Sequence, residues 1–117
     1  MSKAVAPEDI HSAAANYQNT PFLLHASSGS VRANHVVADT DESSTVIAIR
    51  GFGRGLASRL SNDLALSLLW PAQEEGQLSL IADGTGVLSQ DDADVLLFTV
   101  TGAVLHRPAP VDGPTQC

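Results

Sequence analysis

The stretch "LSLIADGTGVLS" (Leu78–Ser89) decides how this chain can fold. Its apolar and β-branched residues read as one long strand, yet Gly84 and Gly86 lie inside it, where glycine weakens a strand. A glycine kept there marks a bend or a close approach of neighbouring backbone. Bends of that kind let a sheet curl towards closure.

Strand partners flank this stretch on both sides. Downstream, the polar turn "QDDAD" leads into "VLLFTVTGAVLHRP" (Val95–Pro108), a second long strand. Upstream, "LALSLLWP" (Leu64–Pro71) is apolar enough for a buried strand, and "TVIAIR" (Thr45–Arg50) is rich in β-branched residues. "FLLHASSGSVRANHVVAD" predicts two strands joined by a tight turn at Ser28-Gly29, followed by the polar turn "DTDESS" (Asp39–Ser44).

Helical signals are short. "APEDIHSAAANYQN" (Ala6–Asn19) opens on Pro7, Glu8 and Asp9, which suit a first turn, and spaces Ile10, Ala13, Ala14 and Tyr17 as an amphipathic helix. "GLASRLSND" (Gly55–Asp63) gives about two further turns, with Leu56 and Leu60 on one face. The expected architecture is mainly β: a small antiparallel barrel of six strands with two short helices. An N-terminal helix occupies 1–20, the barrel 21–108, and a flexible tail 109–117.

At 117 residues the chain has the size of one domain, and 44% hydrophobic against 16% charged residues reads as globular. Its formal charge of −7 disfavours nucleic acid and anionic membranes as partners. No apolar run approaches the ~20 residues of a membrane-spanning helix. The N-terminus carries acidic residues where a signal peptide would be apolar, and Cys117 is the lone cysteine. Both features point to the cytoplasm and away from disulfide chemistry.

Against this acidic background, "VIAIRGFGRGLASRLSND" (Val46–Asp63) gathers Arg50, Arg54 and Arg59, half of the six basic residues, among Gly51, Gly53 and Gly55. Glycine lets the backbone turn sharply and leaves amide hydrogens uncovered, the helix start adds a positive dipole end, and arginine supplies planar donors matched to phosphate oxygens. Two readings stand. The segment is a phosphate cradle, or it is a tight turn whose arginines pair with the abundant carboxylates. The spacing breaks the dinucleotide fingerprint and no Gly-Lys-Ser/Thr follows, so neither nucleotide-binding loop applies.

"GFGRGLASRLSNDLALSLLWPAQEEGQLSLIADGTGVL", followed by "GAVLHRPAP", resembles the pyridoxamine 5'-phosphate oxidase-like, FMN-binding split-barrel proteins, and within them the small actinobacterial flavin- and deazaflavin-dependent oxidoreductases. The resemblance runs from about Pro21 to Pro108. It implies a six-stranded split β-barrel that forms a homodimer, with two cofactor sites at the interface. Carried over to this chain, it places a cofactor phosphate against Arg50, Gly53, Arg54, Ser58 and Arg59, and the ring system near Trp70. FMN is the implied cofactor, with a deazaflavin or haem as alternatives, and the implied activity is that of an oxidoreductase acting on an unidentified small substrate. Members without catalysis, or without a cofactor, are the other possibility.

The remaining candidates each carry two readings. Trp70 stacks on a planar cofactor or packs in the core or interface. Arg107, at the end of the last strand, reaches a phosphate or substrate carboxylate at the interface, or forms a strand-end ion pair. Alternation puts Arg32 and Asn34 on one strand face, facing a cleft or solvent, and His35 on the other. His11, His25, His35 and His106 are scattered without metal-ligand spacing, and no serine has a nucleophile motif. No catalytic residue can be named from the sequence.

Overall fold

A computed structural model describes residues 2–18, 20–27, 30–53, 56 and 64–107. Among these residues the chain forms strands β1 (Ser2–Val5), β2 (Phe22–Ser27), β3 (Ser30–His35), β4 (Val37–Asp39), β5 (Val46–Arg50), β6 (Leu64–Trp70), β7 (Ser79–Leu88) and β8 (Leu96–His106). A 3-10 turn at Pro7–Asp9 runs into one short helix, α1 (Ile10–Ala14).

The strands form one antiparallel sheet in the order β3-β2-β6-β7-β8-β5-β4, with β1 added along β8. The two ends of that order, β3 and β4, are consecutive in the chain and separated by Val36 alone. A sheet whose first and last strands belong to one stretch of backbone must curl round, and this one forms a half-barrel. Val36 is the corner. Its side chain is buried and its N–H donates to the Pro21 carbonyl at 3.1 Å.

The structure has eight strands among the described residues, where six were expected. The Val36 corner accounts for one of the extra strands, because it divides the second arm of the predicted hairpin between two partners, β2 and β5. The other is β1. Ser2–Val5 fall in the segment read as helical, but they pair with the second half of β8, which β5 leaves uncovered. The predicted second helix is represented by Leu56, buried and helical; the rest of 54–63 lies outside the described residues, as does the tail from 108 onward.

Alternation fixes the inside of the sheet. On β5, Ile47 and Ile49 are fully buried between exposed Val46 and Arg50, and on β7 the even-numbered positions Leu80 to Gly86 point inwards. Phe98 and Leu96 of β8 close the core with Leu23, Leu68 and Ile10. The expected irregularity of the long strand is present. Register shifts between Asp83 and Gly84: Asp83 faces Gly102, Gly84 faces Val100, and Thr101 is the additional residue of a β-bulge.

Candidate functional site

The glycine–arginine bend begins where β5 ends. Gly51 and Gly53 adopt left-handed conformations at φ +82° and +87°, which side chains with a Cβ resist. Phe52, between them, turns into the core at 5% exposure. Its carbonyl accepts a hydrogen bond of 3.2 Å from the Asn34 side-chain amide on β3. The bend is thus pinned from the inside by a buried ring and from one flank by Asn34. On the outside, a Cβ built on Gly51 or Gly53 meets none of the described residues within 4 Å. These glycines serve backbone geometry, and no described residue crowds the peptide above them.

Arg50 precedes the bend and is half-exposed, with its guanidinium 3.5 Å from the Asp92 carboxylate in the β7–β8 turn. A surface pair of this kind is worth ~1 kcal/mol at most and exchanges readily with another anion. Backbone shape therefore fits a bound phosphate better than the resting charge does, because Asp92 already shares Arg50. Arg54, Ser58 and Arg59 lie outside the described residues.

Trp70, at the end of β6, is buried at 4% exposure and belongs to the core. It also forms one wall of a groove of about 250 Å³ between α1 and β4, where Tyr17, His11, Thr20 and Val37 complete the lining. Val37 pairs in register with Arg50, so the groove lies beside the strand that leads into the bend. Arg107 does not join them. It follows β8, whose first residue pairs with Ile49, so the eleven residues of β8, at most about 35 Å when straight, separate it from that end. Within one chain Arg50 and Arg107 belong to opposite ends of β8.

Groove residues that the sequence did not assign to a site are His11 and Thr40, whose Nδ1 and hydroxyl lie 2.7 Å apart, and Tyr17, whose hydroxyl donates to the Leu78 carbonyl. The helical spacing of Tyr17 marked it only as apolar packing. Burial raises the Tyr17 phenol above its ordinary value. The folded state therefore holds this proton more tightly than the unfolded chain, and the stability involved is complete below a pH of about 10 and lost as pH climbs through the raised value. Tyr17→Phe is expected to lower stability by about 1 kcal/mol at neutral pH. It should also flatten the alkaline end of the stability–pH curve, which urea melts at a series of pH values would measure.

Asn34, expected to face a cleft or solvent, instead donates its side-chain amide to the Phe52 carbonyl. Arg32 is exposed, and His35 is exposed and packs on the Phe22 ring at a centroid distance of 3.9 Å. Among the described residues no group of three or more His, Cys, Asp or Glu is placed to hold a metal, and no helix is long and apolar enough to cross a membrane.

A second, larger groove of about 600 Å³ opens on the outer sheet face beside the β7–β8 bulge, with Ser67, Asp83, Thr85 and Thr101 among its lining residues. Nothing in the sequence pointed to it, because its residues meet only through strand register. No protein-family model, curated protein or solved structure matches the chain.

Proposed function

We propose that the chain is a split-barrel domain that acts as a homodimer and binds FMN, with the cofactor phosphate docked on the Gly51–Gly53 bend. The observation that carries this reading is the bend itself: two left-handed glycines with no described residue over them, anchored by buried Phe52, next to Arg50. Arg50, Gly53, Arg54, Ser58 and Arg59 form the phosphate site, and the Trp70 groove beside the strand leading into the bend receives the ring. Bound FMN supplies hydride transfer, which makes the protein a flavin-dependent oxidoreductase of the cytoplasm. The chain's own residues anchor the phosphate, orient the ring and keep water from it. A deazaflavin in place of FMN would use the same phosphate site.

The homodimer has its own support. Thr99 of β8 and Val46 of β5 align in register on the outer face, and Val87, Leu97 and Ala48 form the next row across β7, β8 and β5. None is charged, in a chain of net charge −7, and Val46 and Val87 are 39% and 47% exposed. Antiparallel sheets that face water present polar residues outward, so an uncharged patch over three strands suits a second copy. Val46→Glu combined with Val87→Glu should shift the protein from dimer to monomer in sedimentation velocity. An unchanged sedimentation coefficient would move the interface elsewhere.

Titrating the protein with FMN tests the main reading. Expected are saturable quenching of flavin fluorescence at one FMN per chain and a dimer by sedimentation. Absence of quenching at high FMN favours the alternative, a cofactor-free domain in which Arg50 belongs to Asp92. Retention of haem without FMN would indicate a tetrapyrrole-binding protein with no flavin chemistry.

A further inference from the structure

We infer that the groove over Asp83 is a binding site for a small ligand with a protonated amine on an apolar body. The floor of the groove is built by the β-bulge. The shift between Asp83 and Gly84 brings Thr101 into the strand as an extra residue, and its hydroxyl donates to the Asp83 backbone carbonyl at 3.2 Å. From β6, the Ser67 hydroxyl donates to the Asp83 carboxylate at 2.6 Å. Both hydroxyl protons are therefore directed at Asp83. What these groups still offer to a visitor is lone pairs: those of a carboxylate and of two hydroxyl oxygens.

A floor of acceptors selects its ligand by chemistry. An ammonium has three donors and no acceptor, so it complements such a surface fully. A carboxylate or phosphate would meet acceptors with acceptors. Charge points the same way: Asp83 is the one carboxylate among the described lining residues, and no lysine or arginine accompanies it. The net charge of −7 adds a long-range attraction for cations. The walls above the floor are apolar, with Leu24, Val31, Ala65 and Leu66, and Val31 is 74% exposed. Buried His25 also lines the groove. An alkyl or aryl body on the amine would cover that apolar surface, and the ammonium would end at Asp83.

Three probes of matched length test this: hexylammonium, hexan-1-ol and hexanoate, each titrated into the ¹⁵N-labelled protein and followed by amide shifts. Hexylammonium is expected to give saturable shifts at Ser67, Asp83, Thr85 and Thr101, with affinity about tenfold above that of hexan-1-ol. Hexanoate should give none. Asp83→Asn keeps the shape of the side chain and should reduce hexylammonium to the affinity of the alcohol. Should that variant fail to fold, Thr101→Lys, at an exposed position, places an ammonium of the protein's own in the groove and should displace the probe equally well. FMN titration of the same variants is expected to match the unaltered protein, which separates this site from the phosphate bend. Equal affinities for the three probes, shifts located away from the groove, or unchanged hexylammonium binding in both variants would overturn the assignment.

Discussion

Gly84→Ala is expected to destabilise the protein by about 3 kcal/mol, the upper end of what overpacking a core usually costs. The reason is the backbone. A Cβ built on Gly84 falls on the Thr99 carbonyl oxygen of β8, and it also approaches the Phe98 ring at 3.0 Å. A peptide group held in a ladder cannot rotate away as a side-chain tip can, so the two central strands must separate at the bulge. Against a typical domain stability of about 5–15 kcal/mol this is a large fraction. With a slope near 1.5 kcal/mol/M, the urea midpoint should fall by about 2 M.

The neighbouring glycines make this a graded test. At Gly86 the obstructing atoms are the Cδ1 methyls of Leu66 and Leu96, at 2.6 Å and 2.8 Å, which can change rotamer. Gly86→Ala should therefore cost about 1 kcal/mol. A Cβ at Gly102 meets none of the described residues within 4 Å, and Gly102→Ala should change stability by less than about 0.5 kcal/mol. Three equal midpoints would mean that β7 and β8 do not approach as closely as the bulge requires.

Those glycines also show what the sequence could reveal. β5, β6, β7 and β8 were legible because β-branched and apolar runs of strand length were bounded by polar turns, and Gly84 announced the irregularity within β7. Local pattern could not reveal β1. "SKAV" has no strand periodicity of its own and pairs only because β8 outruns β5. The corner at Val36 was hidden for a related reason. "VV" at 36–37 looks uniform, but the first valine is buried and the second is 49% exposed, since the chain changes partner between them.

The site follows the same division. The bend was legible from glycines and arginines adjacent in sequence, and its left-handed backbone is as glycine permits. Its surroundings were not, because Asn34 on the Phe52 carbonyl and Asp92 on Arg50 are contacts across 18 and 42 positions of chain. Ser67 and Asp83 become partners only after register aligns β6 with β7.

The largest effect on binding is expected from Arg54→Ala combined with Arg59→Ala. Each guanidinium would give a phosphate charge-assisted hydrogen bonds worth about 1.5–3 kcal/mol. Losing both should weaken FMN by more than about a hundredfold. Arg50→Ala should do less, under about tenfold, because Arg50 is half-exposed and must first part from Asp92. Folding stability without FMN should stay within about 0.5 kcal/mol for all three substitutions, so a binding loss would not be confused with unfolding. Riboflavin, which has the same ring without the phosphate, gives the decisive comparison. If the arginines act on the phosphate, riboflavin should bind the unaltered protein as weakly as FMN binds the double variant, and the substitutions should leave riboflavin affinity alone. If instead the double variant loses FMN and riboflavin by the same factor, the arginines support the ring or the fold, and the phosphate lies somewhere other than the glycine bend.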